Sequence, residues 1–225
     1  KGINTKDITF ISDKPGSTYK INKNDSLTIN YSFELEPGKN LTKTYTFFGS
    51  KYEIKSKISF AGFSDLISNN TYDLVWSNGI RSVERNSVDE ANYSNASVYY
   101  GDEQVIVDAS SVGEKEVKEF RGRVDWLTVR NKYFAAIIIP DDLKKVEGAY
   151  IEGIQEVRGK DGLHETYDAR LTLPFQKKKV ETQSFTLFIG PVDYKELEAY
   201  GRNLVKIVDF GSFFGLKFVV RPIAE

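Results

Sequence analysis

Residues 26–35 read SLTINYSFEL, with Leu27, Ile29, Tyr31, Phe33 and Leu35 alternating with Ser26, Thr28, Asn30, Ser32 and Glu34. Side chains along a strand point to opposite faces in turn, so this period of two predicts one apolar and one polar face. The next residues, EPGKN, place Pro37-Gly38 at the two centre positions of a type II turn. LTKTYTFF then follows as the expected antiparallel partner. KYEIKSKISF, residues 51–60, repeats the alternation, with Tyr52, Ile54, Ile58 and Phe60 opposite Glu53, Lys55, Lys57 and Ser59. These three segments predict an antiparallel sheet with one dry face and one wet face.

The same signals continue along the chain. YDLVW precedes Asn78-Gly79, a favoured two-residue hairpin turn, and SVYY and EQVIVDA flank Gly101-Asp102. VDWLTV leads into YFAAIIIP, an apolar run that predicts a strand buried on both faces and stopped at Pro140. AYIEGIQEV and LHETYDARLTL lie either side of Asp161-Gly162, and SFTLFIG adds one more strand. About a dozen short strands with turn chemistry between them predict a large all-β sandwich or barrel. One helix is expected, after Gly190-Pro191. There Asp193 is a candidate N-cap with Glu196 three residues on, and Tyr194, Leu197 and Tyr200 recur at helical spacing before Gly201.

Composition restricts function. The chain has 225 residues. A single all-β domain of this size buries roughly 70% of its unfolded surface and needs neither disulfides nor metal to fold. Hydrophobic content of 40% and charged content of 28% are ordinary. Thirty-one basic and 32 acidic residues leave a net charge of −1, without the positive excess that nucleic-acid binding requires. The chain has no cysteine, which removes disulfides, thiolate metal sites and cysteine nucleophiles together and fits an oxidising compartment. It has no methionine either and begins at Lys1, so the expectation is an excised fragment of a longer protein. Neither a signal peptide nor an apolar run of about eighteen residues is present.

No catalytic constellation stands out. The one histidine, His164, shares a strand face with Thr166, Asp168, Arg170 and Thr172 and is expected to be solvated. A Walker loop, a Gly-x-Gly-x-x-Gly turn, a Gly-x-Ser-x-Gly elbow and an EF-hand pattern are all missing. Acidic residues are plentiful, but nothing marks a particular carboxylate pair. Lys177-Lys178-Lys179 is read as a solvated turn that blocks edge pairing. The 15 Phe, 13 Tyr and 2 Trp are read as core and cross-strand pairs ahead of the alternative, the lining of a sugar- or peptide-binding groove. No cofactor is expected.

The stretch SFTLFIGPVDYKELEAYGRNLVKIVDFGSFFGLKFVVRPIAE resembles the end of the large periplasmic domain of YidC-type membrane protein insertases. In that family a strand leads into an aromatic-x-Gly-Pro step, a short helix and an aspartate-aromatic-glycine element. Here these are Phe188 to Pro191, the helix after Asp193, and Asp209-Phe210-Gly211. VDWLTVRNKYFAAIIIP is similar to the family's tryptophan, KYF and proline-closed strand. Residues 27–60, with their KTYTF step, are similar to its strand-turn-strand pattern.

The resemblance implies a β-supersandwich, two large antiparallel sheets of galactose-mutarotase-like architecture with a short C-terminal α-helix. Residues 1–225 would form one periplasmic domain fragment lacking its earliest strands, with the helix at 191–201 and a membrane-proximal junction at 212–225. The parent would sit in the bacterial inner membrane, with this domain on the periplasmic face. It would insert and fold nascent membrane proteins, alone or with the Sec translocon, with SecD-SecF and the SecY complex as partners. The domain itself would be non-catalytic. Interaction or membrane coupling is expected at Tyr194, Leu197, Tyr200, Phe213, Phe214, Arg221 and Pro222, within a coupling region that runs from Asp193 to Glu225. The apolar ending FGLKFVVRPIAE fits a chain about to enter the bilayer interface, with Arg221 placed to meet anionic headgroups. The alternative reading is a carbohydrate-binding or mutarotase-like sandwich; a mutarotase site needs several histidines and a carboxylate, and only His164 is available.

Overall fold

The computed structural model describes residues 4–16, 18–67, 69–82, 86–159 and 162–208. In chain order the strands are β1 (Ile11–Ser12), β2 (Ser26–Glu36), β3 (Lys39–Phe48), β4 (Glu53–Ala61), β5 (Thr71–Trp76), β6 (Asn95–Tyr100) and β7 (Glu103–Val107). They continue as β8 (Lys115–Arg121), β9 (Trp126–Arg130), β10 (Phe134–Pro140), β11 (Gly148–Arg158), β12 (Gly162–Pro174) and β13 (Val180–Pro191). Two short helices, α1 (Ser87–Ala91) and α2 (Tyr194–Glu198), complete the regular structure with three single 3-10 turns.

The strands form an all-β sandwich of two unequal antiparallel sheets. The larger has nine strands in the order β1-β2-β3-β4-β13-β10-β9-β6-β7, and the smaller has four in the order β5-β12-β11-β8. The main core lies between them, where Ile151, Tyr167, Ala169 and Leu171 of the small sheet meet Ala96, Val98, Leu127 and Val129 of the large one. At the β5 edge, Tyr72 places its ring 4.8 Å from that of Phe60 on β4. The small sheet therefore stops at β4, and β2 and β3 extend past it as a wing.

That overhang explains how the alternating segments are buried. Leu27, Ile29, Tyr31 and Phe33 do share a face, in register with Phe47, Tyr45, Lys43 and Leu41 of β3. Only Leu41 among these is buried; the others stay half-exposed, and Leu35 is exposed. The segment ahead of β2 covers part of the face, with Phe10 packed 6.0 Å from Phe33 and Lys43 lying 4.5 Å above the Phe10 ring. Gly38, with φ of 84°, supplies the positive dihedral that the β2–β3 turn requires.

Several local expectations change. Asn78 and Gly79 take the left-handed conformation of a two-residue hairpin turn, with φ of 65° and 59°. They do not join neighbouring strands, because β5 pairs with β12. Instead the Gly79 amide bonds the Tyr167 carbonyl at 2.7 Å, and the Asn78 amide bonds Asp168 Oδ1 at 2.8 Å. The polar side of the β4 alternation is not uniformly wet, since Glu53 is buried. His164 is half-buried rather than solvated, and its Nδ1 has no hydrogen-bond partner. Helix α1, strands β1 and β8 and the three 3-10 turns escape the sequence reading. Helix α1 is capped by Asn86 Oδ1, which accepts the Asp89 amide at 3.2 Å.

Candidate functional site: the C-terminal clamp on the outer face

YFAAIIIP is an unbroken apolar run because the strand it forms is covered on both sides. Ala136 and Ile138 face the main core, while Ala135, Ile137 and Ile139 face a second core on the outer side of the large sheet. Trp126, Phe188 and Tyr99 come from the neighbouring strands β9, β13 and β6, and Leu197, Leu204 and Ile207 close the cluster from outside. The strand begins at Phe134, which is exposed, so the dry region of the run starts one residue later, at Ala135.

The residues that supply this cover run out and back across the sheet. Val192 leaves β13 with its amide bonded to the Tyr133 carbonyl at 2.8 Å. Asp193 then caps α2, its Oδ1 accepting the Glu196 amide at 3.0 Å. Three consecutive left-handed residues, Gly201, Arg202 and Asn203 with φ of 64°, 50° and 59°, reverse the chain. Two of these are not glycine, and such conformations persist only where the surroundings fix them. Here Trp126 Nε1 donates to the Arg202 carbonyl at 2.9 Å, and Arg202 Nη1 donates to the Pro140 carbonyl at 2.6 Å. Asn203 Nδ2 donates to the Tyr99 hydroxyl at 2.9 Å, and that ring stacks on Trp126 with centroids 5.4 Å apart.

The return leg is a 3-10 turn, Leu204–Ile207, whose end is held by the buried Arg130. Arg130 donates through Nη1 to the Ile207 carbonyl and through Nε to the Asn131 carbonyl, the latter at 3.1 Å. Asn131, also buried, donates to Glu90 Oε1 at 2.8 Å, and Glu90 Oε2 accepts from the Ser82 hydroxyl at 2.6 Å. Each member of this network meets a partner, as groups so buried must. Because Arg130 pairs with Ala135 across β9 and β10, the returning chain reaches Val208 at the end of the sandwich where α2 began.

The sequence-predicted residues divide sharply. Leu197 is fully buried and Tyr194 nearly so. Both therefore hold the helix to the sandwich and present no contact surface of their own. Tyr200 is half-buried, packed edge-to-face on Phe188 with ring centroids 5.4 Å apart. Burial, helped by the charges of Glu53 and Glu196, pushes its hydroxyl up to about 12. Phe213, Phe214, Arg221 and Pro222 lie outside the described residues, as does Asp209-Phe210-Gly211.

Sequence reading missed the seat itself. Trp126, Arg130 and Asn131 were visible as WLTVRN, but an Arg-Asn pair after a strand carries no signal that both will be buried. Gly190 is a clearer case. A Cβ there would meet Tyr52 Cβ at 2.7 Å and Phe188 Cζ at 2.9 Å. The aromatic-x-Gly-Pro step thus contains the residue that lets Tyr52 cross the strand.

The clamp has no nucleophile-base pair, and among the described residues no group of three or more His, Cys, Asp or Glu could hold a metal ion. No helix among them is long and apolar enough to cross a membrane. What the geometry defines is an all-β sandwich whose large sheet seats residues 192–208, the last that are described, on its outer face. The profile of the YidC periplasmic domain matches residues 2–225, and the chain belongs to that family. It is 32% identical over its full length to the membrane protein insertase YidC of Chloroherpeton thalassium, and 33% identical over 99% of its length to that of Chlorobium luteolum. It spans 38% and 37% of those proteins. Among solved structures, heparan sulfate lyase HepC from Pedobacter heparinus aligns with 77% of the chain and 21% of its own at 7% identity and a TM-score of 0.41. That likeness is too slight to carry an argument.

Proposed function

We propose that this domain is the non-catalytic periplasmic module of an inner-membrane insertase and that it sets the geometry of the junction to the membrane-embedded part. The observation that carries the reading is the out-and-back clamp, whose last described turn is held by a buried arginine. A tether needs no such device; a part that must hold an orientation does. The parent would insert and fold nascent membrane proteins, alone or beside the Sec translocon, with SecD-SecF and the SecY complex as its neighbours.

The clamp's seat is formed by Tyr99, Trp126, Arg130 and Ile137, all ahead of Asp193. Coupling therefore belongs to the seated helix and not to residues 193–225 alone. The test is Arg130→Met in the full-length insertase, which keeps the side-chain stem and removes the donors to Ile207 and Asn131. Insertion of a client membrane protein is expected to fall severalfold with the insertase present in normal amount. Unchanged insertion, with protease cutting between 200 and 208 accelerated, would overturn the coupling role.

A further inference from the structure

Beside the Arg130 anchor, the β9–β10 connection forms a small rigid tip. Buried Asn131 accepts the amides of Tyr133 and Phe134 on its Oδ1 at 3.0 and 2.8 Å, and its own amide bonds the Phe134 carbonyl at 3.0 Å. The turn is thus fixed from inside. Its outward side chains are large and apolar: Tyr133 is 40% and Phe134 48% exposed. Tyr93, Tyr52 and Ile189 are exposed at the same end of the sandwich. Pairing of Phe134 with Pro191, and the bond from the Ile189 amide to the Tyr52 carbonyl at 3.0 Å, tie these positions together. Lys132 lies 5.6 Å from the Tyr93 ring centroid and 5.3 Å from that of Tyr133, with its charge matched by Asp89 at 2.5 Å.

Exposed tyrosines and a phenylalanine beside one lysine stem, that of Lys132, suit the boundary between headgroups and acyl chains. Position favours a lipid surface over other occupants. Arg130, one residue before Asn131, holds the Ile207 carbonyl, so Ile207 and Val208, the last described residues, lie beside this tip. The sequence that follows Val208 contains Phe210, Phe213, Phe214, Leu216 and Phe218, so an apolar stretch is joined to the chain at this end.

We propose that the Tyr133–Phe134 tip is a membrane-docking element, which inserts into the headgroup boundary of the bilayer that the parent occupies. The inference rests on the membrane-insertase reading for the presence of that bilayer. Its test needs no client protein, so the two readings can fail separately. Because the Lys132 charge is matched by Asp89, docking depends on apolar insertion, not on attraction to anionic lipid.

The experiment is flotation of the 225-residue chain with vesicles of pure phosphatidylcholine. Replacing both Tyr133 and Phe134 by serine should lower the partition coefficient roughly tenfold, from the apolar area withheld from lipid. Both side chains are exposed, so the fold should survive, as an unchanged melting curve would establish. A second variant reads position directly. Tyr133→Trp should show a blue-shifted emission and quenching by brominated phosphatidylcholine, above the constant background of buried Trp126 and half-buried Trp76. Equal flotation of the wild type and the double-serine variant would assign binding to residues beyond Val208 and overturn the proposal. So would an unshifted, unquenched signal from the Tyr133→Trp variant, or a lipid-free dimer that the double-serine variant abolishes, which would make a second copy the occupant.

Discussion

Strands β10 and β3 lie in the same sheet, yet they are built for different surroundings. Along β10, Ala135, Ala136, Ile137, Ile138 and Ile139 are all at most 5% exposed, since one face meets the main core and the other meets the clamp. Along β3 only Leu41 is buried, because the small sheet does not reach over the wing and only the short segment around Phe10 covers part of it. The difference teaches that an unbroken apolar run reports covering layers on both sides, whereas alternation reports only which face is drier. The doubly covered strands also seat residues 192–208, the last that are described, and the singly covered ones do not.

The strongest attempt to break this contrast is Leu197→Asp. Leu197 is fully buried between the clamp and the sheet. An unpaired carboxylate there should cost about 4 kcal/mol or more in urea unfolding. Proteolysis between 192 and 208 should accelerate in parallel as the clamp lifts. A loss under about 1 kcal/mol would mean that the second core contributes little. Gly190→Ala tests the same region by overfilling it. The added methyl would meet Tyr52 and Phe188 at 2.7 and 2.9 Å. A loss of about 1–3 kcal/mol is expected.

The wing supplies the contrasting measurement. Tyr45 is half-buried on β3, with its ring centroid 6.1 Å from that of Tyr31. Tyr45→Ala should cost about 2 kcal/mol or less, below the roughly 3–5 kcal/mol typical of large aromatic truncations in closed cores. A cost equal to that of Phe188→Ala would show that the wing is covered as fully as β10 and would erase the distinction.

Much of this was legible in the sequence, and the limits have physical causes. Period two marked β2 and β4, and the Pro-Gly turn marked β3 as the partner of β2, because alternation and turn chemistry act locally. Asp193 and Glu196 marked α2 for the same reason. The reach of the small sheet is a nonlocal property, and nothing in SLTINYSFEL says that its apolar face will lie beyond β5. Asn78-Gly79 formed the expected turn but joined no hairpin, since turn chemistry fixes a reversal and leaves the choice of partner strand to packing. The clamp was half visible. Tyr194 and Leu197 announced an inward helical face, whereas the buried Arg130–Asn131–Glu90 network joins residues far apart in sequence by hydrogen bonds that no spacing encodes.

Titration separates the two regions in opposite directions. In the closed half, burial raises the Glu165 carboxyl above its ordinary 4.5, with the nearby Asp108 charge adding to the effect. A carboxyl whose folded value is raised contributes stability that is fully present below its unfolded value and is lost as pH rises through the folded one. In the wing, burial lowers the Lys43 ammonium below its ordinary 10.5, so its contribution improves as pH rises toward that value. Melting temperature against pH should therefore flatten on the acid side in Glu165→Gln and on the alkaline side in Lys43→Met. If each variant tracks the wild type at every pH, neither group titrates differently on unfolding and the contrast in burial has no electrostatic consequence.

The smallest effect is expected at Leu35, and it is informative because it is small. The alternation places Leu35 on the dry face with Phe33, yet it is 48% exposed near the end of β2, where Glu36 pairs with Lys39 after a register shift. A residue already half in water loses little on becoming polar. Leu35→Ser should therefore change stability by no more than about 0.5 kcal/mol. A loss several times larger in urea unfolding would mean that something covers the far end of the wing in solution. The boundary between the doubly and singly covered halves would then have to move outward, beyond β4.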